Sequence, residues 1–523
     1  MNDYRKLQYY SNLGKDTGKK LWDGNSFTFY NKDAVSSKIP VDWDQDPYKY
    51  RSWMLRLSGF EWIDVLISKF KFFKDSKAIV DAIEFFKDWD KYYANKENSN
   101  SFAWHDHAVS LRTHRLSVII KAFKDVEHFD SDVNIWLLGL LDKHFDYLIS
   151  ESKFQRNNHG IFQTQALAAI IFLFPERYDV KSTRAIIYTR LEFLWSLQFG
   201  EDLVHKENSP MYHKRILKYF EDIASSEEFQ ETTLPYTQKD LLTANINYDF
   251  LFHPSGYIAL LGDTNLISLK SKLRWQGVKD FPEAGYLIFS KLDIKKEDSY
   301  LIIRSGFPDR THRHADDFSF EYSEKGQLIF SDSGRFSYNY NDPMRIYLTS
   351  TAAHNTVEID GITLPWWGSF SQKDLYSDAV VKYEFRKDGY ACKLQKDFES
   401  IGVNFSRYIN RKLFGNGTIQ FSVIDNVVMT EARALRQWFH FPPGFSIIDS
   451  DDNHISLTNG NLYISAEVEN FDINHYRGSN KPLVGWISYK EGVVEDRISV
   501  SISPKTKDKT SLIETKWIIT SEN

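Results

Sequence analysis

The hydrophobic positions change period part-way along the chain. In NIWLLGLLDKHFDYLIS, Ile135, Leu138, Leu141, Phe145 and Leu148 follow at steps of three and four, which predicts one face of a helix. RAIIYTRLEFLWSLQF behaves similarly, and in YHKRILKYFEDIAS the stripe is Ile216, Phe220 and Ile223. Such helices joined by short loops predict an all-α layer in which each helix buries one face on its neighbours. The last helical segment, KDLLTANINYDFLF, runs into HPSGYIALLGDTN, where Pro254, Gly256 and Gly262 break the pattern. Beyond it the period is two. Leu462, Ile464, Ala466 and Val468 alternate with polar residues in NLYISAEV, Ile498, Val500 and Ile502 do so in RISVSIS, and TIQFSVID reads as a further strand between Gly417 and Asp425. Many short strands separated by Gly, Asn and Asp turns predict a large antiparallel β-sandwich. The expected fold class is α+β multidomain, with a helical domain over 1–265 and a sandwich over 266–523. No short internal repeat or low-complexity tract suggests a solenoid or a disordered tail. KLDIKKED and SPKTKDKT are expected to be solvated turns.

A length of 523 residues exceeds what one compact core normally organises, which supports two or three domains. No segment approaches the roughly 20 consecutive apolar residues of a membrane span, so a soluble globular protein is expected. MNDYRKLQYY lacks the apolar stretch of an export signal. The sequence as it stands is therefore expected to be cytoplasmic, or periplasmic if it begins after a cleaved signal. Cys392 is the single cysteine, which excludes an internal disulfide, a cysteine zinc site and a dithiol redox centre. Any metal must be held by His and carboxylate. The net charge of −6 argues against bulk attraction to a polyanion such as nucleic acid, although a local basic cleft can still bind one. The 14 Trp and 29 Tyr would suit the stacking platforms of a sugar cleft, and would equally suit a large core.

The densest polar segment is RSGFPDRTHRHADDFSFEYSEKGQLIFSDSG. His312 and His314, two apart, would share a face on a strand. His105 and His107 repeat that spacing, so the pattern alone is weak. Asp332 lies 18 residues beyond His314, near the end of the next expected strand, and His354 follows in STAAHNTVEIDG. His314, Asp332 and His354 form a plausible zinc set with water in the fourth position. The alternative is satisfied polar residues at sheet edges. In the helical half, RNNHGIFQTQAL places Asn157, Asn158 and His159 before a helix, and ENSPMYHKRIL places Tyr212 and His213 at the start of another. Ser209 can cap that helix and Pro210 suits its first turn, which leaves the tyrosine unexplained. A Tyr among His and Arg can serve in proton transfer, although most tyrosines are packing residues.

Taken together, AWHDHAVSLRTHRL, NNHGIFQTQAL, SPMYH, HRHADDFSFEY, LIFSDSGRFSY and TSTAAHNTVEIDG resemble the heparinase II/III-like polysaccharide lyases, including oligoalginate lyases; RQWFHFPPG extends the match more weakly. The resemblance implies an incomplete (α/α) toroid followed by an antiparallel β-sandwich, and β-elimination on an acidic, uronate-containing polysaccharide or its oligosaccharides. Such a reaction removes the uronate C5 proton, expels the C4 oxygen and leaves a C4–C5 double bond. It requires neutralisation of the carboxylate, a base and an acid. By resemblance, Asn158 and His159 match the neutralising positions, Tyr212 the acid, base or both, and His312 the histidine completing proton transfer. Tyr340 resembles a second tyrosine of the oligoalginate-cleaving members, with Tyr338 close enough to compete for that role. His314, Asp332 and His354 match a zinc site that would hold the strands around His312, with no organic cofactor. Arg335 and Arg345 are candidates for substrate carboxylates on charge alone, and Trp104 and His105, beside Arg112, are further candidate substrate contacts. Two readings compete. A glycoside hydrolase would need two carboxylates facing each other at roughly 5–9 Å, for which Glu207, Asp316 and Asp317 are available. A glycan-binding protein could keep the fold without turnover. The polymer, endo or exo action and the oligomeric state are not specified by the sequence.

Overall fold

Helices occupy most of the chain from Gln8 to Asp249, and strands dominate from Gly277 to Ser521. The structure is a computed structural model that describes residues 3–29, 32–49, 51–94, 102–127, 129–269, 274–292, 298–308, 310–362, 364 and 379–521. Contacts divide the chain into two compact units, Met1–Leu197 with Lys218–Gln238, and Gln198–Leu217 with Lys239–Asn523. The helix Pro210–Ser225 therefore gives its first half to the second unit, as does the segment from Lys239 to residue 265. No helix among the described residues is long and apolar enough to cross a membrane.

In the first unit the helix Asp106–Phe123 is buried along most of its length. Its Arg112 guanidinium is fully buried, donating to the carbonyls of Ser58 and Ala103 and to His144 Nε2 at 3.0 Å. It also lies 4.2 Å from the Trp89 ring centroid. That network corrects one expected face. Helix Ser131–Ile149, capped by Asp130, buries Leu137, Leu140, Leu141, His144 and Leu148, while Ile135 is 66% exposed. A polar residue belongs to the buried stripe because Arg112 supplies its partner, and the stripe is rotated from the all-apolar series.

In the second unit every ladder between named strands is antiparallel. An eight-stranded sheet includes Gly389–Phe398, Val403–Leu413, Ile419–Arg433, Leu462–Glu467 and Asp508–Ser521. A five-stranded sheet runs in order through Gly277–Phe281, Tyr286–Lys291, Ser299–Arg304, Phe320–Glu324 and Gln327–Phe330. A four-stranded sheet contains Val357–Ile359, Leu435–Phe441, Phe471–Arg477 and Ile498–Pro504. Leu287, Phe289, Leu301 and Ile303 from one face of the five-stranded sheet join Phe421, Phe439 and Trp517 in the main core. The opposite face, with Tyr286, Ile288, Tyr300 and Ile302, packs on Tyr248, Phe250, Leu251 and Phe252. Burial on both sides explains why YLIFS and SYLIIR read as nearly continuous apolar runs. Leu462, Ile464 and Ala466 point inward as the period-two pattern requires, whereas Ser499 and Ser501 are buried along with Ile498, Val500 and Ile502. Lys505 to Thr510 in SPKTKDKT are exposed, and residues 293–297 of KLDIKKED lie outside the described residues. Cys392 is buried, which pushes its thiol up to about 12 and leaves it inert.

Burial also holds histidines neutral, lowering His107 and His114 to about 4 and His213 to about 3. The unfolded chain titrates near 6.5. Between those values the unfolded state binds more protons, so stability must fall as pH drops from about 6.5 towards 4. Thermal melting across that window is expected to show a progressive loss; a flat profile would contradict the buried neutral state.

Candidate active site

The second unit gathers its polar chemistry around the turn 262–264. Gly262 has φ +57°, and a Cβ there would lie 2.3 Å from the Asn208 carbonyl oxygen and 2.7 Å from that of His312. Glycine lets these backbones meet. Gly262→Ala should cost about 1–3 kcal/mol through overpacking and backbone strain. A melting temperature equal to wild type would contradict this close approach. Ser209 Oγ donates to the Asp263 carbonyl at 2.9 Å and pairs with Thr264 Oγ1 at 2.8 Å. Its hydroxyl thus ties the start of helix Pro210–Ser225 to the turn, and Pro210 takes the first helical position.

Asp263 is buried and serves several partners. Its Oδ2 lies 3.1 Å from His312 Nδ1 and 3.1 Å from an Arg345 nitrogen; its Oδ1 lies 3.0 Å from His314 Nε2 and also accepts from Arg345. Burial opposes its charge, but the hydrogen bonds from His312 and His314 prevail and hold the carboxyl well below its ordinary range. Their spacing predicts one face of a strand, but neither histidine lies on a strand. Both follow the strand Ser299–Arg304 and precede Phe320–Glu324, and His312 has φ +59°. The turn is held there because the His312 carbonyl accepts from Asp263 N at 3.2 Å while its ring bonds the same residue's carboxylate. Tyr212, in the first turn of its helix, stacks on His312 with ring centroids 3.9 Å apart and an interplanar angle of 19°. The Tyr212 and Tyr338 hydroxyl oxygens are 2.6 Å apart. Burial raises the Tyr338 phenol, and the nearby Asp263 charge adds to that shift. Tyr340 is 40% exposed, with the Arg345 guanidinium 5.7 Å from its ring centroid.

His314, Asp332 and His354 are fully buried, with one ligand-capable atom of each within 4.8 Å of the others. His354 Nδ1 is 2.7 Å from Asp332 Oδ1, and Asp332 also accepts from Ser319 Oγ and Ser333 N. His314 Nδ1 and His354 Nε2 are buried without hydrogen-bond partners. Two orphaned imidazole nitrogens beside a carboxylate fit a divalent metal, since otherwise each carries a desolvation penalty. Burial lowers the His314 pKa and favours the neutral ligand form.

The first unit carries a separate cluster. Asn157 caps helix Asn158–Leu173 by accepting from His159 N at 2.8 Å. A Cβ on Gly160 would lie 2.1 Å from the Gln155 carbonyl oxygen, which accounts for the glycine in NNHG. His159 Nδ1 is 3.0 Å from Asp106 Oδ1, and His105 Nδ1 is also 3.0 Å from that oxygen. Burial works against the Asp106 charge, but these two histidines outweigh it and lower its pKa. Arg51 donates to His105 Nε2 at 3.0 Å. Trp104 is 36% exposed and packs beside His144 and Tyr147.

The sequence matches two family profiles, "Heparinase II/III N-terminus" over residues 11–287 and "Heparinase II/III-like, C-terminal" over 274–514. The chain belongs to the heparinase II/III-like family. Its fold is similar to that of a solved heparinase III gene product, with TM-score 0.73 and 17% identity over 99% of this chain and 85% of that one. It is also similar to the heparan sulfate lyase of Pedobacter heparinus, with TM-score 0.71 and 17% identity over 100% of this chain and 86% of that one. No curated protein sequence matches the chain.

In this heparinase II/III-like chain, Tyr212, His312 and Tyr338 come together in the second unit, while Asn158, His159, His105 and Trp104 belong to the first. Of the two neighbouring tyrosines, Tyr338 rather than Tyr340 reaches the Tyr212 hydroxyl. Arg345 is engaged by Asp263, and Arg335 donates to Asn265 and to Glu491 at 2.7 Å. Arg215, which sequence reasoning passed over, is exposed with its guanidinium 5.5 Å from the Tyr212 ring centroid. Asp106 and Asp263 were also missed. Asp106 was visible between two histidines, and Asp263 directly after a glycine. The carboxylates available for hydrolysis are differently placed. Asp317 is buried on Arg313 and Lys396, Asp316 is fully buried, and Glu207 accepts from Gln198 while lying 3.7 Å from His312 Nε2. A cavity of about 560 Å³ lined by His253, Tyr257, Glu321, Phe445 and Tyr489 contains none of the candidate residues. One lining carboxylate, Glu321, bonds His253 and accepts from Asp332 N, which supports the His314, Asp332 and His354 cluster from behind.

Proposed function

We propose that this protein is a polysaccharide lyase that cleaves an acidic, uronate-containing polysaccharide or its oligosaccharides by β-elimination, leaving a 4,5-unsaturated uronate end. The observation that carries the reading is the stacked Tyr212–His312 pair, with His312 held by Asp263. Elimination needs two proton transfers, from C5 and to the C4 oxygen, and a phenol beside an imidazole supplies two carriers. The Tyr338 hydroxyl shares a hydrogen bond with the Tyr212 hydroxyl and so holds that oxygen in place. Tyr212 is the proton-transfer group at the sugar and His312 its partner, with Nε2 as the exchanging nitrogen because Nδ1 is bonded to Asp263.

Carboxylate neutralisation is assigned to Asn158 and His159 on family membership. Among the described residues the Asn158 amide is uncommitted, and His159 uses Nδ1 on Asp106. Arg215 supplies positive charge next to Tyr212, a supporting feature for an acidic substrate. Tyr340, Arg335, Trp104 and His105 are assigned to the surrounding substrate contacts, and Arg345 to holding Asp263. His314, Asp332 and His354 would hold zinc, as their nitrogen and oxygen donors suit it. When bound, the metal would supply fixed positive charge that locks the three loops carrying these residues.

The experiment is to incubate the purified chain with heparan-type, hyaluronan-like and alginate polymers and their oligosaccharides, following ultraviolet absorbance of the unsaturated uronate and release of reducing ends. A rise in both with one polymer is expected. Reducing ends without the chromophore would replace elimination by hydrolysis, and the absence of both across the panel would favour a binding protein.

A further inference from the structure

The carboxylate that orients the proposed proton-transfer histidine also holds a proposed metal ligand. Asp263 uses Oδ2 on His312 Nδ1 and Oδ1 on His314 Nε2, with Arg345 on both oxygens. Four contacts match the acceptor capacity of a carboxylate, so its orientation depends on the His314 ring staying in place as well as on Arg345. The main chain is fixed as well, through Asp263 N on the His312 carbonyl, Ser209 Oγ on the Asp263 carbonyl, and the crowding at Gly262. With His314 donating from Nε2, its lone pair is at Nδ1, the buried nitrogen without a partner. One group therefore selects the nitrogen that His314 presents to a metal and the nitrogen that His312 presents to substrate. A carboxylate behind a metal-binding imidazole fixes its tautomer and orientation, and its loss typically costs about 10–100-fold in metal affinity or activity.

We propose that Asp263 is a positioning residue that couples metal binding at His314, Asp332 and His354 to the orientation of His312. The catalytic meaning of this coupling rests on the lyase reading; the coupling itself does not. Metal binding orders the His314 ring, the ring fixes the Asp263 carboxylate, and the carboxylate holds His312 against Tyr212. Stripping the metal therefore loosens His312 even though His312 is not a ligand.

The test uses the full chain and zinc alone, with two readouts that need no turnover. Zinc affinity of wild type and Asp263→Asn is measured by competition with a chromophoric chelator. Carbethoxylation of His312 is followed by peptide mass spectrometry in zinc-loaded and stripped protein, with exposed His475 as the internal control. In wild type, stripping zinc is expected to raise the His312 modification rate several-fold and leave that of exposed His475 unchanged. In folded Asp263→Asn, zinc affinity should fall about 10–100-fold and the His312 rate should no longer respond to zinc. A His312 rate indifferent to zinc in wild type would overturn the proposal whether or not the variant folds, as would a variant with wild-type zinc affinity. Failure to cleave any uronate polymer would remove the lyase reading and leave both readouts decisive.

Discussion

Tyr212→Phe is expected to lower kcat by about 10²–10⁴-fold, the usual contribution of a positioned proton-transfer group. The substitution keeps the ring, so the 3.9 Å stack on His312 and the burial of the side chain persist. It removes one oxygen, the atom 2.6 Å from the Tyr338 hydroxyl. Losing that hydrogen bond should cost about 0.5–1.5 kcal/mol of stability, far too little to unfold the chain. The variant should retain its circular dichroism spectrum, melt close to wild type and leave KM nearly unchanged. Tyr338→Phe should act in the same direction with a smaller effect, because it removes the hydrogen-bond partner of Tyr212 and not the proton carrier. A Tyr212→Phe enzyme with a near-wild-type rate would take the tyrosine out of the reaction.

The second large effect is expected at His314, Asp332 and His354, the proposed metal ligands. His314→Ala removes one ligand and leaves Asp263 without one of its donors in a buried setting. An unsatisfied buried polar group costs about 1–3 kcal/mol. Loss of a metal present at about 100 times its dissociation constant removes a further 2.7 kcal/mol or so of linkage stabilisation. The variant should contain little metal by plasma mass spectrometry and melt well below wild type, and chelator should lower the wild-type melting temperature towards that value. Metal content equal to wild type would eliminate this ligand set. His354→Ala should behave alike, since its Nε2 is the other unpartnered nitrogen.

Much of the architecture was legible because burial imposes a period. The stripe Ile216, Phe220 and Ile223 is fully buried, as are Leu462, Ile464 and Ala466 to within a few per cent. Period failed where a polar residue shares the core: His144 is buried on Arg112, and the face of its helix turns away from Ile135 accordingly. The site was legible in its residue types and less so in its connections. His312 and Tyr212 could be singled out from sequence, but their common support, Asp263, is separated from His312 by 49 positions. Contacts between a turn and a distant loop leave no periodic trace. The choice between Tyr338 and Tyr340 was closed to sequence for a related reason, as the backbone between them decides which hydroxyl meets Tyr212. Arg345 had the charge expected of a substrate contact, and only its burial against Asp263 reveals that the charge is already matched.

Elimination breaks the glycosidic bond without consuming water. Digesting the responsive polymer in water enriched in heavy oxygen and weighing the new chain ends tests it directly. With the new reducing ends reduced to alditols at once to block anomeric exchange, elimination predicts that no label enters either fragment and that one new end carries the mass of an unsaturated uronate. Incorporation of one heavy oxygen at each new reducing end, with no unsaturated fragment, would establish hydrolysis and rule out elimination.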